Sequence, residues 1–183
     1  IYQNFKWIVI DGCSDRKIRA SLKRIDRIDD LIIENDEGIY DAMNKGLERV
    51  RKNDFVLFLN SGDEFTQPDI LQRVINGGFL KKGEIVYGNC YTEKGLKRAR
   101  PFVRKFFFSR GMPFCHQACF VEGSVLRKEK FKTKYKYAAD LKFFVRMYEL
   151  GMNFKQIDLA LVFFKSGGTS DLNRFEVLEE LSL

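Results

Sequence analysis

Apolar and polar positions alternate along the chain in blocks that change period. "FKWIVID" (residues 5–11) is a compact apolar run closed by the carboxylate of Asp11, and it predicts a strand. In "KIRASLKRI", which follows it, Ile18, Leu22 and Ile25 stand at helical steps. "DLIIEN" predicts a second strand. From Ile39 the apolar residues Ile39, Met43, Leu47 and Val50 recur at steps of four and three, which puts them on one helix face and leaves Asp41, Asn44, Lys45 and Glu48 on others. "DFVLFLNSGD" is nearly all apolar until it stops on Asn60, Ser61, Gly62, Asp63 and Glu64, the pattern of a strand covered on both faces. The order β-α-β-α-β predicts a parallel, doubly wound sheet.

After Pro68, "DILQRVINGGF" predicts a helix closed by Gly77 and Gly78, and "EIVYGNCY" a strand. Residues 94–114 break the alternation. Lys97, Arg98, Arg100, Arg104, Lys105 and Arg110 are interleaved there with Phe102, Phe106, Phe107 and Phe108, without a clean period. "QACFVEG" predicts a strand, "AADLKFFVRMYELG" a helix ended by Gly151, and "LALVFF" a last strand before "KSGGTS". A polar amphipathic tail carries Phe175, Leu178 and Leu181. No repeat, low-complexity tract or linker divides the chain, so residues 1–183 read as one domain.

Composition narrows the function classes. With 183 residues, 45% of them hydrophobic and 14% aromatic, the chain has ample material for a core, which excludes disorder. Its 18 phenylalanines lead us to expect some on a partner-facing surface. A formal charge of +7 suits an anionic partner: a phosphorylated small molecule, an anionic lipid surface or nucleic acid. No apolar run reaches membrane-span length and "IYQNFKWIVIDG" carries no secretory pattern, so a cytoplasmic protein, soluble or peripheral on the inner membrane face, is expected. Cys13, Cys90, Cys115 and Cys119 lack paired CxxC spacing and are expected as reduced thiols. "CHQAC" offers three soft ligands with no fourth nearby, which argues against structural zinc.

In a parallel α/β sheet, ligands bind beyond the carboxyl ends of the strands. Asp11, Asp36 and Asp63 fall at three such ends. Turn and helix capping would account for any one of them. Convergence on one crevice is as good an account of all three. A divalent cation held by one or two carboxylates and completed by phosphate oxygens would then bridge a nucleotide diphosphate.

"IVIDGCSD", "ENDEGIYDAMNKGLERVRKNDFVLFLNSGD", "HQACF", "YAADLKFFVRMYELG" and "GGTS", in this order and spacing, resemble the bacterial family 2 glycosyltransferases. The branch that builds exopolysaccharide, capsule or lipopolysaccharide repeat units in the cell envelope is the nearest. The resemblance implies a GT-A fold, with a mixed, mostly parallel sheet flanked by helices. It also implies a nucleotide-sugar donor, with a UDP-sugar the leading expectation, Mn2+ or Mg2+, and inversion at the anomeric carbon. Residues 1–93 would then form the nucleotide-sugar half and 94–183 the acceptor-side half with its tail.

Carried over by residue, the resemblance makes Asp11 a contact of the donor base and Asp36 a neighbour of the nucleotide. Asn44 and Lys45 match polar positions of the helix that follows. Lys45 is expected near the nucleotide, and Asp41 in an exposed pair with it, worth only about 0.2–0.5 kcal/mol. "NSGD" aligns with the family's acidic metal motif. Asn60 and Gly62 stand where acids could be, which leaves Asp63 as the metal ligand and Asn60 as a neutral oxygen, a weaker site before the donor arrives. Asp140 matches the catalytic carboxylate, a general base for the acceptor hydroxyl that could also cap its helix. His116 and Gln117 match an acceptor-side "HQ", and Gly168 and Ser170 belong to a loop near the site.

The family opens with a β-α element that these residues do not show, so an N-terminally incomplete domain is expected, with an open sheet position favouring self-association. The acceptor is expected to be a glycan or a polyprenyl-linked sugar, and residues 97–114 read equally well as lying against anionic lipid or as an ordinary solvated loop packed by its Phe residues. Three other readings compete. A nucleic-acid-binding module would use the same basic stretch but would leave the acidic strand ends unexplained, so nucleic acid is not the expected partner. A nucleotidyltransferase lacks its triphosphate loop here. An inactive fragment would keep the fold alone.

Overall fold

The computed structural model describes residues 1–103, 111–165 and 174–182. In chain order the elements are β1 (Ile8–Asp11), α1 (Arg16–Leu22), β2 (Asp30–Ile33), α2 (Ile39–Leu47), β3 (Phe55–Val56), β4 (Glu64–Phe65) and α3 (Ile70–Asn76). There follow β5 (Glu84–Thr92), β6 (Gly95–Lys97), a 3₁₀ turn (His116–Ala118), β7 (Cys119–Glu122), α4 (Gly123–Glu129), α5 (Ala139–Glu149), β8 (Asn153–Phe163) and α6 (Arg174–Ser182).

The α/β class and a mixed sheet flanked by helices are as expected, but the first three strands do not form one parallel, doubly wound sheet: β3 pairs antiparallel with β7 in a different sheet from β1 and β2. β1 and β2 pair in parallel, from Ile8 opposite Asp30 to Asp11 opposite Ile33. The other strands form one sheet in the order β3-β7-β5-β8-β4, with β6 attached to β5. Its longest ladder, β5 with β8, is parallel, and the shorter ones are antiparallel. The β5 and β8 register shifts between Tyr87 and Cys90. At Gly88, in that shift, a Cβ would stand 2.5 Å from the Leu159 carbonyl oxygen, so the two backbones can approach only where a side chain is missing.

Helices cover both faces of this sheet. Ile85 and Tyr87 of β5 point to one side, into a cluster with Tyr40, Met43 and Leu47 of α2 and Leu141, Phe143, Phe144 and Met147 of α5. Val86 and Cys90 point to the other, toward Ile70 and Val74 of α3 and toward Ile157, Leu161 and Val162 of β8. The first cluster is aromatic. Phe102 stacks on Phe154 with centroids 4.2 Å apart, Tyr87 on Phe114 at 4.3 Å, and Phe114 meets Phe144 edge-on at 5.1 Å.

Three expectations change. "DFVLFLN" is only briefly a ladder strand, yet Phe55 and Leu57 pack into one cluster and Val56 and Phe58 into the other, so its continuous apolar content records two-sided burial. β8 runs well beyond "LALVFF" at its N-terminal end, because Lys155, Gln156 and Asp158 interrupt the apolar run without interrupting the pairing. On α2 the buried stripe is Tyr40, Met43 and Leu47, while Ile39 is 42% exposed. Of the basic and aromatic stretch, Phe102 and Phe114 are buried in the aromatic cluster, as a loop packed by its Phe residues would have them. Residues 104–110 lie outside the described residues.

Candidate active site

At the carboxyl ends of β1 and β2 the chain makes a cradle from Asp11, Gly12 and Asp36. Asp11 is buried; its Oδ1 accepts from the Ser14 amide at 3.1 Å, and its Oδ2 is buried with no partner among the described residues. Ser14 Oγ is likewise unpartnered. A Cβ on Gly12 would fall 2.2 Å from Asp36 Oδ2, so the Asp36 carboxylate rests on the glycine itself. Asp36 Oδ1 meanwhile accepts from the Gly38 amide at 3.0 Å, in the turn that opens α2. Asp11 and Asp36 are thus brought together as expected.

The next two donor-side residues are engaged by the protein. Asn44 clasps the main chain of Phe131, its Nδ2 donating to the carbonyl at 2.8 Å and its Oδ1 accepting from the amide at 2.9 Å. Lys45 Nζ lies 3.1 Å from Asp41 and 3.3 Å from Glu34, and it also donates to the Asn35 carbonyl. The Asp41 and Lys45 pair is the one the spacing predicts. Asn44 and Lys45 therefore fasten α2 to its surroundings.

"NSGD" closes on itself. Asp63 N donates to the Asn60 carbonyl at 3.0 Å, Asp63 Oδ2 accepts from the Asn60 amide at 3.2 Å, and Asp63 Oδ1 accepts from the Lys165 amide at 3.2 Å. Each oxygen retains a lone pair after these bonds. Among the described residues no three His, Cys, Asp or Glu side chains gather as a metal site. The donor set therefore fits a cation only if most of its ligands arrive with the substrate.

Asp140, in the first turn of α5, has both carboxylate oxygens bonded. Its Oδ1 accepts from Tyr40 Oη at 3.0 Å and from the Leu141 amide at 2.8 Å, and its Oδ2 lies 3.1 Å from His116 Nδ1. The two side chains are only 15% and 17% exposed. His116 Nε2 is buried without a partner among the described residues. Burial alone would push the Asp140 carboxyl up, but the His116 imidazole, the Leu141 amide and the Tyr40 hydroxyl outweigh it and hold the group below the ordinary carboxylate value. Burial first, and the Asp140 charge second, push the Tyr40 phenol up. Gln117 is buried beside His116. The thiol of Cys115, which precedes His116, is held below the ordinary cysteine value by a hydrogen bond with Cys90 and by the nearby Lys97 and His116, against its burial.

Asp140 does not cap its helix. The N-cap is Ala138, which has no side chain for the task, and Glu180 of α6 reaches in instead, accepting from the amides of Lys136, Tyr137 and Ala138 at 2.6, 3.0 and 2.9 Å. Tyr40 and Glu180 are the residues that sequence reasoning missed. Tyr40 sat one place off the predicted apolar stripe, and the Glu180 contact spans more than forty positions without any local pattern. Gly168 and Ser170 lie outside the described residues.

Residues 1–151 match the family described as Glycosyl transferase family 2. Two uncharacterized glycosyltransferases of Mycobacterium tuberculosis are each 32% identical over 120 residues, which is 62% of this chain and 45% of theirs. The chain thus spans about half the length of the curated relatives it matches. A crystal structure of residues 1–349 of S. aureus TarS superposes with a TM-score of 0.64 at 19% identity, over 90% of this chain and 53% of that one. The same TarS segment in complex with UDP gives 0.60 at 18%, over 93% and 55%.

Proposed function

The chain belongs to glycosyl transferase family 2, and on that premise we propose that it takes a nucleotide-diphosphate sugar, UDP being the leading nucleotide, and passes the sugar with inversion to a hydroxyl of a glycan or lipid-linked acceptor. The observation that carries this reading is the cradle at the ends of β1 and β2: Asp11 Oδ2 and Ser14 Oγ are buried and without partners among the described residues, beside Asp36. A buried acceptor without a donor is destabilising by about 1–3 kcal/mol, so a ligand bearing N–H or O–H groups, as a base and ribose do, is what completes the cradle. The UDP complex of TarS supports the choice of nucleotide.

Asp63, with Asn60 beside it, would hold Mn2+ or Mg2+ as one ligand among several, and that ion would neutralise charge on the departing diphosphate. The chain's own part lies at the other side of the site. There the Asp140, His116 and Tyr40 cluster receives the acceptor hydroxyl and takes its proton as the new bond forms. No helix among the described residues is long and apolar enough to cross a membrane. Work at a membrane face on a polyprenyl-linked sugar of the cell envelope belongs to this proposal.

Calorimetric titration with UDP, GDP and dTDP, with and without manganese, tests the reading. UDP should bind in the micromolar to millimolar range typical of nucleotide sites, more tightly with manganese, and Asp11→Ala should remove the signal. A panel of UDP-sugars assayed for nucleotide release by the full-length protein then tests turnover. Nucleotide binding that survives Asp11→Ala unchanged would sink the site assignment.

A further inference from the structure

We propose that Glu180, on the tail helix α6, is a positioning residue for the transfer: by holding the turn that leads into α5, it sets where the Asp140 carboxylate stands. The inference deepens the glycosyl-transfer reading, in which the cluster around Asp140 takes the acceptor proton, and rests on it.

One carboxylate accepts from three consecutive main-chain amides. Lys136 N meets Glu180 Oε1 at 2.6 Å, and Tyr137 N and Ala138 N meet Oε2 at 3.0 and 2.9 Å. Bonds to an ionised acceptor are roughly twice as strong as neutral ones, and three on one side chain leave the turn little freedom. Ala138, the N-cap of α5, has no side chain to bond the amides at the helix start. Glu180 supplies from another helix what a Ser or Asp at a cap supplies locally.

The turn so held meets the cluster twice. The Tyr137 carbonyl accepts from Tyr40 Oη at 3.1 Å, and the same hydroxyl lies 3.0 Å from Asp140 Oδ1. The Ala138 carbonyl accepts from the Lys142 amide at 3.0 Å, a bond that closes the helical turn containing Asp140. Both the phenol beside Asp140 and the backbone that carries it are thus referred to peptides that Glu180 fixes. A displacement of about 1 Å at a reacting group is enough to cost about 10²-fold in rate.

The rest of α5 does not depend on this contact. Phe143, Phe144 and Met147 bury its later turns, so removing Glu180 loosens the first turn and leaves the body of the helix packed. On α6 itself Phe175 and Leu178 are largely exposed, so their burial does little to seat the tail. The charge on Glu180 is the link between tail and site.

The test compares variants of the full-length protein for nucleotide release from UDP-sugars, with water as acceptor. Glu180→Ala should lower kcat roughly 10–10²-fold while KM and the UDP affinity measured by calorimetry stay within about twofold. Glu180→Gln keeps one oxygen that can accept from the amides and should recover part of the rate; it carries the test if Glu180→Ala does not fold. Glu176→Ala, which removes a carboxylate from the exposed first turn of the same helix, should leave kcat unchanged. His116 is the only histidine in the chain and its Nδ1 lies 3.1 Å from Asp140 Oδ2, so its ring signals in a proton–nitrogen spectrum report on that carboxylate without substrate. They should shift in Glu180→Ala, and less in Glu180→Gln. An active wild type matched in kcat by the Glu180 variants, or unmoved His116 signals, overturns the proposal alone. So does a loss that appears in KM or UDP affinity, or one equally large in Glu176→Ala, because α6 would then be a general support. A wild type that releases no nucleotide from any UDP-sugar overturns the transfer reading, and the role of Glu180 falls with it.

Discussion

At the ends of β1 and β2, Asp11 and Asp36 stand by a two-stranded ladder followed in the chain by α1, a helix with no buried residue, and one Asp11 oxygen has no partner among the described residues. Asp140 instead starts a helix with five buried residues and accepts hydrogen bonds at both oxygens. The first region leaves buried oxygens of Asp11 and Ser14 without partners among the described residues. The second has both Asp140 oxygens bonded and is backed by the aromatic cluster. Binding free energy from a ligand can go into satisfying the first region, whereas the geometry of the second is fixed by bonds within the protein.

The largest effect that would test this contrast is on stability. Phe144→Ala, in the aromatic cluster under α5, should lower the unfolding free energy by about 3–5 kcal/mol in urea titration, while Ile18→Ser on α1, 49% exposed, should stay within about 0.5 kcal/mol. Equal losses would erase the difference between the regions. Asn44→Ala leaves the Phe131 amide and carbonyl without their partner and should cost about 1–3 kcal/mol by the same measurement. Gly12→Ala sharpens the comparison from the other side. Its Cβ must displace the Asp36 carboxylate, so UDP affinity by calorimetry should fall at least about tenfold, or roughly 1.4 kcal/mol, with stability changed by less.

The smallest effect lies in acid. Because the folded Asp140 carboxyl is held below its ordinary value of 3.8, the stability it contributes is present above that pH and is lost as pH falls further. Asp140→Asn should therefore unfold with a shallower dependence on pH below about 3.8, seen by circular dichroism, than the wild type.

The legible parts of the site were those in which one stretch of chain specifies its own surroundings. Asp11 closes a short apolar run, Asp36 opens a helix, and Asp140 stands in the first turn of a strongly periodic one, so position along the element predicted position in space. Asn44 and Lys45 show the limit of that logic. A polar residue on a helix near a site reads the same whether it faces a ligand or clasps a neighbouring backbone, and only the fold brings Phe131 within reach of Asn44. β8 and Tyr40 were missed for a related reason: interrupting charges and a stripe offset by one residue hide burial that tertiary packing decides.

Glu180 bears on how anions can approach this site. The start of an eleven-residue helix ordinarily gathers main-chain N–H groups and the positive end of a dipole into a place where phosphate settles. Here the approach to α5 is already taken by a carboxylate of the chain's own tail, held by three amides, with Asp140 adding a second negative charge one turn inside. The protein acts there as its own counterion. An anion approaching that helix meets two carboxylates, Glu180 and Asp140, instead of open amides.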